Sequence, residues 1–486
     1  MMNIQNLEPK GIWKNFYALT RIPRPSGHLE KIQQFLLDWA KERKIEAFKD
    51  NAGNIVMRKP ATPGFENCIP VTMESHMDMV PQKTVDSNHN FLTDPIETYI
   101  EGEWVKAKGT TLGSDDGIGD ATSMAVLEDD TLKHGPIEAI FTVDEETCMY
   151  GVNNLKPETL KGEILLNLDN ETEGDMVIGS AGGEDVQPQL EYQEQEADPA
   201  QIALEIVLKG LKGGHSGLEI NEGRANANKL MARFLTDAVE KTNAQLASWH
   251  GGNMRNAIPN NCRVVVTIDQ EKQERLVALA AEWASIFKAE YSGVEDELIL
   301  DILPAEMPKK IVPTEIRDNI INAIMACPAG VTRMIPSALD IVETSCNLGI
   351  VSIADGKAEA DILVRSSCDT QLEALEATIK AVFSMAGMAT SFEGRYGSWQ
   401  PDFNSPIIKT IEKVYADMFG EKPRVQVVHA GLECSVIKTV YPKMDMVSFG
   451  PTLRSPHTPF ERCNIPSVAK YWDFVKKLLE NIPEKK

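Results

Sequence analysis

Four short stretches of the chain end in acidic or histidine side chains: Glu74-Ser-His76-Met-Asp78, Gly113-Ser-Asp115-Asp116-Gly117, Asp144-Glu145-Glu146 and Asn167-Leu-Asp169. A fifth, Ser455-Pro-His457-Thr-Pro459, follows near the carboxyl end. Together they supply two histidines and several carboxylates, the ligand mixture that holds a pair of divalent cations. This points to a metal-dependent hydrolase.

Taken singly, each stretch has a plainer reading. Side chains two apart on a strand point the same way, so Asp78 can sit beside the imidazole of His76. A metal-bound histidine usually donates its other N–H to a carboxylate, a post that Asp78 suits; a lone His-x-Asp is equally a satisfied surface pair. The glycine-flanked turn at Asp115 opens a helix, so its acids can cap that helix or bridge two cations. Three adjacent acids at 144–146 repel one another and need solvent or a cation to stay ionised. Neighbouring side chains diverge, so one can ligate while the next accepts a proton; the plainer reading is a solvated acidic loop. Asp169 alone reads as structural, and His457 alone as a surface histidine in a proline-stiffened loop. Their joint occurrence at the ends of apolar runs is what points to a metal site.

The elements that must position these groups are legible from periodicity. Helices are predicted from 9 to 19 and from 29 to 43, the second with Ile32, Phe35, Leu36 and Trp39 on one face. Strand-like runs at 54–58, 69–73, 137–143 and 164–168, with a helix at 119–130, predict a largely parallel sheet covered on both faces. Ligands gather beyond the carboxyl ends of such strands. Residues 187–200 are polar and acidic and read as a boundary. A fresh pattern follows, with strands at 202–208, 264–269, 346–353 and 360–365 and helices at 225–241, 272–291, 314–325 and 371–385. The return falls near Tyr396–Pro401, before a helix at 405–419, two strands and a terminal helix at 467–481. The expected fold is α/β: a discontinuous domain, 1–186 and 399–486, with a mostly parallel mixed sheet, and an inserted α+β domain at 187–398.

A chain of 486 residues exceeds one ordinary core, which agrees with at least two domains. A net charge of −23 argues against nucleic acid and anionic membranes as partners. There is no secretory pattern at the start and no apolar run near the ~20 residues of a membrane helix, so a cytoplasmic protein is expected. The 8 cysteines are scattered without a Cys-x-x-Cys pair and read as free thiols of a reducing compartment.

In this order, these residues resemble the M20 metallopeptidase family, and within it the aminoacyl-histidine dipeptidase branch (Xaa-His dipeptidase, carnosinase-like). The resemblance spans essentially the whole chain. It includes His76-Met-Asp-Met-Val-Pro-Gln-Lys83, Gly109-Thr-Thr-Leu-Gly113, Gly210-Leu-Lys-Gly-Gly-His-Ser-Gly217, Arg255-Asn-Ala-Ile-Pro259 and His429-Ala-Gly-Leu-Glu-Cys434. It implies a zinc-peptidase-like catalytic domain and an inserted lid and dimerisation domain, the whole forming a homodimer. It also implies two Zn²⁺ per subunit, with Co²⁺ or Mn²⁺ able to substitute. One zinc would be held by His76 and Asp169, the other by Glu146 and His457, with Asp115 bridging, Asp78 orienting His76 and Glu145 as general base. Two such cations about 3.5–4 Å apart can share a hydroxide and polarise a scissile carbonyl, and a base of this kind contributes ~10²–10⁴-fold. His215 matches an oxyanion-stabilising histidine, and Asn256, Arg365 and the Gly431 backbone match positions that hold the substrate. Without the family, His215 reads as a turn residue and Arg365 as a surface ion pair.

The expected activity is hydrolysis of unblocked dipeptides, above all Xaa-His substrates including β-alanyl-histidine. A broader dipeptidase or an aminoacylase of the same family is the alternative. A non-catalytic metal-binding protein is a third reading; Glu145 argues against it, because a structural site needs ligands but no base. Histidines 28, 89, 134, 250 and 429 are expected to be structural or at the surface, with His429 set apart as the one exception in view. Two details depart from the branch: Ser435 stands where glycine is usual, and Cys148 lies beside the acidic triplet.

Overall fold

Apolar residues at helical spacing start the fold. The helix Lys10–Thr20 buries Ile12, Trp13, Phe16 and Leu19, a stripe that recurs every three or four residues. Full burial of a side chain such as Phe16 stabilises by roughly 1.5–3 kcal/mol. Gly11 allows a close approach to the helix Ser114–Glu128, since a Cβ there would lie 3.3 Å from the Cβ of Ala125. The helix Glu30–Glu42 buries Ile32, Leu36, Trp39 and Ala40, and Phe35 packs partly buried against the same core.

The computed structural model describes residues 3–485. They divide into two units, each with its own apolar core. The first contains the chain up to Gly179, Trp399–Val427 and the chain from Leu432 on; the second contains Ser180–Ser398 and Val428–Gly431. The first unit is built on an eight-stranded sheet in the order Glu46–Lys49, Ile55–Lys59, Ile137–Thr142, Val71–His76, Ile164–Asn167, Asp445–Ser448, Asp175–Ser180 and Arg424–Val428. Its four inner strands, from Ile137–Thr142 to Asp445–Ser448, run parallel. Val71–His76 and Ile137–Thr142 are buried at every position, as strands covered on both faces must be. Antiparallel pairings flank them, at Ile55–Lys59 on one side and Asp175–Ser180 on the other.

The second unit is α+β. A nine-stranded sheet, antiparallel in its pairings, accompanies the helices Ala227–Thr242, Gln273–Glu290, Thr314–Ala326 and Asp369–Met385. The polar stretch expected to be a boundary is partly ordered into it. Gly182–Glu191 is a strand between Lys357–Ser366 and Ala389–Tyr396, and Gln195–Glu196 pairs with Lys310–Ile311. The run read as a strand at 346–353 is the inner part of Ala338–Ala354, whose first half forms a hairpin with Gly330–Ile335. The terminal helix begins earlier than expected, at Ile465, because Asn464 caps it by accepting from the Ser467 N–H. All eight cysteines are free. Among the described residues no helix is long and apolar enough to cross a membrane.

Candidate metal centre

The parallel strands deliver their acidic and histidine residues to one end of the first sheet. His76 is the last residue of Val71–His76. Its neighbour Ile137–Thr142 runs into Asp144, at φ 55°, and the short helix Glu145–Cys148. Ile164–Asn167 leads to Asp169. Asp115 stands after Gly113, which takes φ 69°, and is itself extended (φ −85°, ψ 110°) although the surrounding segment is helical. His457, at φ 56°, sits in the loop joining Leu453–Arg454 to Arg462–Asn464, two strands paired Leu453↔Cys463 and Arg454↔Arg462. Left-handed conformations at non-glycine residues cost of order 1–3 kcal/mol each and collect at functional sites; Asp144 and His457 both adopt them.

The distances define one cluster. Asp115 presents Oδ1 to His76 Nε2 at 3.1 Å and Oδ2 to His457 Nε2, also at 3.1 Å. His76 Nε2 lies 3.9 Å from Asp169 Oδ2, and His457 Nε2 lies 2.9 Å from Glu146 Oε2. His76, Asp115 and Glu146 each offer a ligand atom within 4.8 Å of the others. All five sequence-predicted ligands therefore meet, with Asp115 between two imidazole–carboxylate pairs.

The donor set suits cations. Burial alone would raise the Asp115 carboxyl, but hydrogen bonds with His457 and His76 outweigh it and hold the group well below the carboxylate range. Asp115 and Glu146 push His457 up to about 11. Burial and the nearby Asp115 raise Asp169. Five carboxylates (Asp78, Asp115, Glu145, Glu146 and Asp169) thus surround two imidazoles. The buried Glu146 Oε1 has no hydrogen-bond partner among the described residues. Excess buried negative charge and an unsatisfied buried oxygen are both relieved by cation binding.

Asp78 does more than face His76. Its distance to His76 Nδ1 is 3.5 Å, long for a hydrogen bond. It accepts shorter bonds from Ser26 Oγ at 2.7 Å and from the backbone N–H groups of Glu145 and Glu146 at 3.1 and 3.3 Å. One carboxylate therefore fixes both the His76 strand end and the turn carrying Glu145 and Glu146. Burial pushes the Glu145 carboxyl up to about 7, with His76 opposing and Glu146, Asp115 and Asp78 adding.

That turn is closed from below. Asn54 donates to the Gly151 carbonyl at 3.0 Å and accepts from the Val143 N–H at 3.2 Å, while the Gly151 N–H donates to the Val143 carbonyl at 2.9 Å. A Cβ at Gly151 would lie 2.2 Å from Asn54 Oδ1 and 2.7 Å from Val143 N. Gly151→Ala is expected to cost about 1–3 kcal/mol through overpacking, read as a lower melting midpoint. An unchanged midpoint would mean that the turn relaxes freely.

The second unit gathers the other predicted residues. His215 pairs with Ala257, and the Ser216 N–H donates to the Asn256 carbonyl at 3.0 Å. The backbone N–H groups of Gly217 and Leu218 donate to His215 Nδ1 at 3.1 and 3.0 Å. Nδ1 is thereby the acceptor nitrogen, and in the neutral ring Nε2 carries the proton as a donor. Burial, with Arg365 adding, lowers the His215 pKa and favours that neutral form. Arg365 is buried, donates to Tyr396 Oη at 2.7 Å and has no partner for its Nε among the described residues. Gly431 belongs to this unit with Val428–Gly431.

His429, the histidine set apart in the sequence, is buried. Its Nε2 lies 2.7 Å from Ser345 Oγ, and burial, with Arg365 and His215 adding, drives its pKa down to about 3. Sequence reasoning also passed over Arg24, Ser26 and Glu461, whose contacts are chiefly with backbone or with Asp78 and carry no spacing signal.

Residues 206–295 match the model of a peptidase dimerisation domain. Over 486 residues, 100% of both chains, the sequence is 41% identical to the cytosol non-specific dipeptidase of Escherichia coli (strain K12). The fold matches the crystal structure of aminoacylhistidine dipeptidase from Vibrio alginolyticus at a TM-score of 0.95 and 41% identity, covering 100% of this chain and 99% of that one. A tripeptidase from Staphylococcus aureus, 15% identical, shares the fold at a TM-score of 0.56 over 98% of this chain and 99% of its own.

Proposed function

The chain belongs to the M20 family of metallopeptidases and is a dipeptidase of that family; from that premise we propose that it hydrolyses unblocked dipeptides, Xaa-His substrates including β-alanyl-histidine foremost, at a site for two divalent cations. The observation that carries this reading is Asp115, with one oxygen toward His76 and the other toward His457, each imidazole beside a further carboxylate. His76 and Asp169 would hold one cation, Glu146 and His457 the other, and Asp115 both. Zinc suits this imidazole and carboxylate set, with Co²⁺ or Mn²⁺ as substitutes. When bound, such cations supply Lewis acidity toward the scissile carbonyl and acidify water.

The chain's own groups would do the rest. Asp78 holds the His76 strand end and the Glu145 turn in register. Glu145 takes a proton from the attacking water and returns it to the leaving amine, the usual work of a general base. His215 donates its Nε2–H to the developing oxyanion. Arg365 offers a planar fork suited to the dipeptide carboxylate, with Asn256 and the Gly431 backbone completing that end.

Broader dipeptide specificity is the second reading, favoured by the name of the Escherichia coli relative as the first is by that of the Vibrio relative. A panel of alanyl-histidine, β-alanyl-histidine, alanyl-alanine and an N-acetyl amino acid, each with added Zn²⁺ and with chelator, separates them. Preferred cleavage of the two histidine dipeptides, abolished by chelator and restored by Zn²⁺, is expected. Equal rates on alanyl-alanine would favour the broader enzyme, and chelator-resistant turnover would remove the cations from the reading. A homodimer is proposed from the dimerisation-domain match; light scattering on the purified protein tests it. A cytoplasmic location is proposed from the cytosolic relative.

His215→Ala is expected to lower kcat roughly 10²–10³-fold, as for loss of an oxyanion donor, with cation content unchanged. An unaltered kcat would take His215 out of the mechanism.

A further inference from the structure

Two buried charges of opposite sign hold the loop that presents Asp115, and among the described residues neither is paired with a side chain of opposite charge. Glu461 is 2% exposed. Its Oε2 accepts from the backbone N–H groups of Leu112 and Gly113 at 2.7 and 3.0 Å. Its Oε1 accepts from the Ser114 N–H at 2.7 Å, Ser114 Oγ at 2.6 Å and the Asp115 N–H at 3.2 Å. Arg24 is 1% exposed. It donates through Nη2 to the Gly113 carbonyl at 2.5 Å, and through Nη1 to the carbonyls of Met77 and Asp78 at 3.0 and 2.9 Å.

The loop is therefore gripped at its N–H groups from one side and at a carbonyl from the other. Glycine at 113 makes this possible. It takes a positive φ, and a Cβ there would lie 2.8 Å from Arg24 Nη2. Burying an ionised group is costly unless its hydrogen bonds are satisfied, and here both groups are satisfied by main-chain atoms next to the candidate ligands, with the Ser114 hydroxyl added at Glu461. Glu461 closes the loop that carries His457, while Arg24 grips the strand end just past His76. The Asp115 loop is thus tied to the segments of both imidazoles that its carboxylate faces.

We propose that Glu461 and Arg24 are positioning residues that set the Asp115 carboxylate between His76 and His457 and thereby govern cation affinity. This rests on the reading of Asp115 as the ligand shared by two cations. Residues that orient metal ligands typically change affinity 10–100-fold when replaced, and a change of that size is expected for Glu461→Gln and Arg24→Lys.

The test uses the full-length protein, stripped of metal and titrated with Zn²⁺ against a chromophoric chelator, and with Co²⁺ followed by visible absorption. Wild type should take up two cations. The folded variants should bind 10–100-fold more weakly and show an altered Co²⁺ spectrum, which a merely structural role would not produce. Variants that melt lower yet bind both cations with wild-type affinity and spectrum would overturn the proposal while leaving the metal reading intact. A wild type that binds no pair of cations would overturn both. Hydrogen exchange on unsubstituted metal-free protein gives a second measurement that does not depend on the variants folding. The amides of Leu112–Asp115 should be protected before any cation is added, and rapid exchange there would overturn the proposal.

Discussion

Glu145→Gln should leave the metal content of the protein unchanged and cut kcat by roughly 10²–10⁴-fold, the contribution of a well-placed general base. Glutamine keeps the size of the side chain and loses only the basic oxygen, and the Glu145 N–H that bonds Asp78 is a backbone group untouched by the change. The turn and its neighbour Glu146 should therefore stay in place. Substrate binding should change little, so the loss should fall on kcat rather than KM. Turnover within tenfold of wild type would hand the base role to another carboxylate of the cluster. Loss of a cation along with turnover would make Glu145 a ligand.

Asp115→Asn should have the larger effect. The amide offers one acceptor oxygen and no charge where two imidazoles now face one carboxylate oxygen each, so it cannot serve two cations. Cation content should fall below two per chain, and kcat/KM by about 10⁴-fold or more, equivalent to ~5–6 kcal/mol of lost charge stabilisation. Metal analysis of the purified variant, paired with the dipeptide assay, checks both halves. A variant that still holds two cations and turns over normally would make Asp115 a bystander and leave the cluster without its centre.

Much of this site was legible because strands covered on both faces write themselves as apolar runs. His76, the 144–146 triplet and Asp169 each stand where such a run stops, and the sheet brings those ends together. His457 was harder: a loop histidine has no periodicity, so it entered through its residue type in the joint set, and the family resemblance gave it its place. Gly182–Glu191 was hidden because its outward positions are polar and its inward ones alone carry the pattern. The first half of Ala338–Ala354 escaped for a related reason: only its outset is exposed, and its buried positions Val342–Ser345 are, Val342 apart, polar. Arg24 and Glu461 left no trace at all. Ser114 Oγ apart, their partners are main-chain atoms, in one case 349 residues away, and a buried ion that serves backbone groups looks in sequence like any surface charge.

The order of segments bears on how the molecule is made. A chain emerging amino end first completes His76, Asp115, Glu146 and Asp169 early, but Asp445–Ser448, His457 and Glu461 come only after Ser180–Ser398 has been synthesised. Until then the first sheet lacks a strand that belongs inside it, beside Ile164–Asn167. Domains tend to fold as units during synthesis, yet this one must wait for its own far end. Premature termination anywhere before that strand would yield not a shortened enzyme but an acidic, half-built sheet with an open edge, a natural client for chaperones and proteases.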